Sequence, residues 1–84
     1  MKMTNAHLHR TASMLQGFAN GEPVTLEDMK GVLYVFGSEL ACLRIFAHYQ
    51  SNGAIHNPYV RTGYSPTHQS CYCAIERRFA STGE

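Results

Sequence analysis

From Leu26 to Ala47 the apolar residues recur at alternating intervals of three and four: Leu26, Met29, Leu33, Phe36, Leu40, Leu43 and Ala47. That spacing predicts one stripe along a helix of about six turns. Thr25 suits its N-cap, and Glu27 and Asp28 fall in the first turn, where carboxylates complement the positive end of the helix dipole. The pattern stops near Gly53. A second apolar stripe, Val32, Val35, Cys42, Phe46 and Tyr49, lies roughly 100° round the same helix. A helix with two apolar flanks has two neighbours, either two other helices of the fold or one helix and a second copy of the chain. The segment GVLYVFG also reads as a strand, being rich in β-branched and aromatic residues, but the stripe continuing on both sides favours helix.

Two shorter helices flank this one. Leu8, Ala12, Leu15 and Phe18 or Ala19 predict a helix over about residues 5–19, capped by Thr4 and closed by Gly21 and Pro23. After an extended connection at 54–64, SPTHQ reads as a helix start, with Ser65 as N-cap and Pro66 at the first helical position. Cys71, Ile75 and Phe79 then share a face, and Arg77 and Arg78 complement the C-terminal end of the dipole. The expected fold is all-α: a single helical domain over 1–84, three helices with a long central one.

Composition narrows the function. Charged residues make up only 15% of the chain, so its surface carries many uncharged groups, which suits a partner surface or a homodimer. A net charge of +1 lacks the basic footprint usual in nucleic-acid binding. The three cysteines are an odd number, and the polar opening MKMTNAHLHR is no signal peptide, so free thiols in a reducing cytoplasm are expected. Glu39 and Arg44 interrupt the most apolar run, which makes it a poor membrane span.

The densest chemistry is THQSCYC, with His68, Cys71 and Cys73 as candidate metal ligands. On a helix Cys71 and Cys73 point about 200° apart and cannot grip one ion, whereas on a strand they share a face. His68 and Cys71 do share a helical face, with His56, His48 or Cys42 available to complete a site. The paired spacings usual in zinc modules are missing, so no metal or other cofactor is expected and Cys71 reads as a small buried hydrophobe. A thiol nucleophile needs an oriented base and an oxyanion site, which no local signature supplies.

Two surfaces are candidates for binding a protein partner. One is the remaining face of the long helix, where Lys30, Tyr34, Gly37, Ala41, Arg44 and His48 follow helical spacing. Gly37 and Ala41 would let a partner backbone approach, with Tyr34, Arg44 and His48 around them. The other is the connection bearing His56, Tyr59, Arg61 and Tyr64. Against these stand a solvated helix face and a loop that merely covers the core. A nucleic-acid alternative makes the last helix a recognition helix, with Thr67, His68 and Gln69 at base edges and Arg61, Arg77 and Arg78 on phosphates. The long connection before that helix departs from a compact helix–turn–helix.

The expected function is therefore a small non-enzymatic cytoplasmic protein that binds and inhibits or regulates another protein. A nucleic-acid-binding transcriptional regulator and a zinc-binding module are the alternatives. Read as a complete short reading frame, the chain has the build of phage and mobile-element accessory proteins, including anti-CRISPR inhibitors of host defence. That comparison is one of type, carried by no residue.

Overall fold

The computed structural model describes residues 4–52 and 59–77. They form α1 (Asn5–Phe18), β1 (Thr25–Met29), β2 (Val32–Gly37), α2 (Glu39–Asn52), β3 (Val60–Ser65) and β4 (Ser70–Glu76). The fold is α+β, which overturns the expected all-α three-helix bundle.

The first helix forms where its periodicity predicts. The Thr4 side chain accepts from His7 N–H at 3.1 Å as N-cap. Asn20 and Gly21 adopt φ of 63° and 88° and end the helix, with Gly21 N–H donating to the Gln16 carbonyl at 2.9 Å.

The stripe from Leu26 to Ala47 is not one helix. Lys30 and Gly31 have φ of 52° and 80°, the left-handed pair that a two-residue hairpin turn requires. β1 and β2 pair antiparallel around it, Met29 opposite Val32. A continuous helix would hold Gly31 and Gly37 in its interior, each at about 1 kcal/mol relative to alanine. The hairpin uses the freedom of Gly31 and lets the branched and aromatic residues of VLYVF alternate between two faces. Helix begins after Gly37, where Ser38 Oγ accepts from Ala41 N–H at 3.1 Å and donates to Glu22 at 2.9 Å. Along α2 it is Ala41, Cys42 and Ile45 that are buried, while Leu40 and Leu43 of the expected stripe are about half exposed.

The expected third helix is a turn and a strand. Ser65 Oγ does accept from His68 N–H, at 3.3 Å, as an N-cap would. Gln69 then takes φ 49°, and the chain returns as β4.

The sheet order is β1-β2-β4-β3, antiparallel throughout. β2 and β3 thus run parallel to each other with β4 between them, and α2 makes the crossover. The core holds Leu15 and Ala19 of α1, Ala41, Cys42 and Ile45 of α2, and the strand residues Leu33, Val35, Val60, Cys73 and Ile75. All these strand residues lie on one side of the sheet, so both helices cover that side. Among the described residues no helix is long and apolar enough to cross a membrane.

Candidate functional site: an uncovered aromatic sheet face

The alternation that sends Leu33, Val35, Cys73 and Ile75 to the helices sends their neighbours to the other side. There the register forms one row of Glu27, Tyr34, Ala74 and Arg61, and a second of Thr25, Phe36, Tyr72 and Gly63. Met29 and Val32 continue the face toward the hairpin turn.

The rings on this face form one cluster. Tyr34 and Phe36 centroids are 6.3 Å apart, and Tyr72 meets them edge-on at 5.7 and 6.4 Å. A Cβ on Gly63 would sit 2.5 Å from Tyr72 Oη, so the Tyr72 ring crosses the glycine where no side chain intervenes. Arg61 donates to the Tyr34 hydroxyl at 3.4 Å. A shallow groove of about 640 Å³ runs beside the cluster, lined by Asp28, Met29, Lys30, Val32 and Tyr34.

His68, at the β3–β4 turn, folds over this face. Its ring stacks on Phe36 at 4.0 Å and 18°, Nε2 lies 3.3 Å from the Glu27 carboxylate, and Nδ1 lies 3.0 Å from Ser65 Oγ. A carboxylate only accepts, so Nε2 carries the proton that faces Glu27. His68 thereby ties β1, β2 and the turn together and leaves Phe36 only 8% exposed.

The residues predicted to line one helix face are dispersed. Tyr34 lies on the open sheet face, Lys30 in the hairpin turn and Gly37 at the end of β2, against Pro23, Val24 and Ala41. Ala41 is fully buried, and His48 stacks on Phe18 at 3.6 Å. Arg44 is exposed on α2, across the sheet from Tyr34. Of the predicted loop residues, Arg61 and Tyr64 belong to β3 and Tyr59 precedes it, while His56 lies outside the described residues. Thr67, His68 and Gln69 form a turn and not the start of a recognition helix. Arg77 is held by Asp28 through Nε at 3.1 Å and Nη2 at 2.9 Å, and Arg78 lies outside the described residues. Phe36, Tyr72, Met29 and Gly63 were missed. Period-two alternation in VLYVF and SCYCAIE was the available signal.

The metal candidates separate. Cys71 and Cys73 share the helix side of β4, as strand neighbours do, while the His68 ring lies on the opposite face. Among the described residues no three His, Cys, Asp or Glu side chains converge as a metal site. Burial pushes the Cys73 thiol up to about 12, with Cys42 adding to the effect. Burial likewise pushes Cys42 up to about 11, with Cys71 adding to it and a backbone hydrogen bond opposing. Both stay protonated and unreactive at neutral pH.

No protein-family model, curated protein or solved structure matches the chain.

Proposed function

We propose that the protein is a non-enzymatic binding module that docks on another protein through the open face of its sheet. The observation that carries this reading is the clustering of Tyr34, Phe36 and Tyr72 with Arg61 and Met29 on the side of the sheet that, among the described residues, no helix covers. Tyrosine, phenylalanine, methionine and arginine are the residues enriched at the centre of protein interfaces. The face is close to electrically neutral, with Glu27 and Glu76 balanced by Arg61 and Lys30. Such a surface suits a protein partner better than a phosphate backbone. Occupying that partner's surface is how a module of this size would inhibit or regulate it.

A second reading has one observation in its favour. Aromatic rings on an open antiparallel sheet, with an arginine beside them, also form a platform on which unpaired bases stack. It replaces the recognition-helix version, because residues 67–69 form a turn.

A tagged pull-down from cells of the source organism, with and without nuclease, separates the two. A stoichiometric protein that survives nuclease and is lost with Met29→Glu supports protein docking. Loss on nuclease treatment alone would overturn it in favour of the stacking platform.

A further inference from the structure

The two edges of the sheet are built differently. β1 carries Glu27 and Asp28 side by side, so a second copy of β1 would set acid against acid, whereas the one charge of β3, Arg61, faces glycine in the pairing described below. β3 contains neither proline, lysine nor acid, and Arg61, Thr62 and Tyr64 along it are exposed. Among the described residues no strand lies beyond β3.

The ladder shows which groups of β3 point outward. Glu76 N–H donates to the Tyr59 carbonyl at 3.0 Å, and Arg77 N–H donates to the Gly31 carbonyl at 2.9 Å. Hydrogen bonding alternates along an antiparallel strand, so the even-numbered residues of β4 bond to β3 and the odd-numbered ones to β2. Through the register, Arg61, Gly63 and Ser65 are the residues of β3 that bond to β4. Val60, Thr62 and Tyr64 therefore turn their N–H and C=O groups away from the sheet.

We propose that β3 pairs antiparallel with β3 of a second copy of this chain, about a two-fold axis through Thr62, joining two sheets into one. In this register Thr62 faces Thr62 of the second copy and Val60 faces Tyr64, so every outward group of both strands finds a partner. Moving the centre to Gly63 leaves Val60 unmatched, and moving it to Arg61 leaves Tyr64 unmatched. A shift to an odd register brings opposite faces together.

The side chains agree with this register. On the helix side it makes a threonine–threonine pair and valine–tyrosine pairs, which are favoured cross-strand combinations. Tyr64, 60% exposed in the single chain, gains a neighbour. On the open face Arg61 meets Gly63 of the second copy, where the Tyr72 ring gives the guanidinium an aromatic surface. The axis is perpendicular to the sheet, so the two open faces become one continuous face. The pairing does not depend on what that face binds.

The test is sedimentation velocity of the full chain across a concentration series, for wild type, Thr62→Glu, Thr62→Lys and an equimolar mixture of the two variants. Wild type is expected to approach twice the chain mass of 9.4 kDa. Each variant alone places like charges opposite each other at the axis, and its dissociation constant rises about tenfold or more. The mixture recovers the dimer, because glutamate then faces lysine; that recovery also shows that both variants fold. A wild type that stays monomeric throughout, a Thr62→Glu dimer as tight as wild type, or a mixture no tighter than its components would overturn the proposal.

Discussion

Arg77 and Asp28 pin the end of β4 to β1, and their burial sets what each deletion should cost. Both Arg77 nitrogens donate to one Asp28 oxygen, and the Asp28 side chain is 5% exposed against 22% for Arg77. Deleting Arg77 takes two hydrogen bonds and the countercharge from a buried carboxylate, and deleting Asp28 releases the arginine; the penalty depends on whether the group left behind reaches water. The Asp28 carboxylate does not, whereas the longer arginine swings out. Arg77→Ala is therefore expected to cost about 3 kcal/mol, the lower end for a broken buried pair, since Arg77 already touches solvent. Asp28→Ala should cost about 1.5 kcal/mol. For a domain of this size the arginine deletion lowers Tm by roughly 12 °C or more. Urea unfolding of wild type, both single variants and the double variant measures these losses and the coupling between them. The double variant should be no less stable than Arg77→Ala alone, because its carboxylate is gone. Two single variants within about 0.5 kcal/mol of wild type would refute the reasoning. So would an Asp28→Ala loss larger than that of Arg77→Ala.

Three further outcomes are expected. Thr11 is fully buried and its hydroxyl has no hydrogen-bond partner among the described residues, so Thr11→Val should stabilise the fold by about 1 kcal/mol in the same unfolding assay. Gly63→Ala brings a methyl within 2.5 Å of Tyr72 Oη and displaces that ring; its aromatic NMR resonances should shift while stability stays within about 1 kcal/mol, since the ring is free to swing outward. The thiols of Cys42 and Cys73 titrate higher in the folded chain than in the unfolded one, so their contribution is complete below about pH 9 and declines as pH rises toward 11 and 12. Tyr49, pushed up to about 12 by burial, acts in the same direction, so thermal unfolding followed from pH 8 upward should show falling Tm.

The sequence made α1 legible because its periodicity, cap and terminating glycine agree. Between residues 25 and 52 two signals were superimposed. Leu33 and Phe36 fit a three–four spacing, but Leu33 and Val35 point into the core while Tyr34 and Phe36 point away from it. Gly31 and Gly37 were the deciding residues, since both disfavour a helix interior and bound a run of strand formers. At residues 65–69 an N-cap and a turn share the same chemistry, a serine hydroxyl accepting an N–H three residues on. Only the left-handed Gln69 separates them, and nothing about glutamine announces that conformation. Part of the candidate site was legible: Tyr34, Arg61 and His68 were singled out, but on elements that hid their shared face. Phe36 and Tyr72 were hidden with them, because which side of a strand is uncovered depends on where the helices pack.

Tyr34 and Arg44 provide the most direct measurement. Helical spacing put them on one face, whereas the fold sets them on opposite sides of the sheet. With the captured partner in hand, titration of Tyr34→Ala and Arg44→Ala against wild type compares the two surfaces. If the open sheet face makes the contact, Tyr34→Ala should weaken binding by about 2 kcal/mol, roughly thirtyfold, with Arg44→Ala near wild type. A large loss for Arg44→Ala with Tyr34→Ala unchanged would contradict it and move the contact to α2.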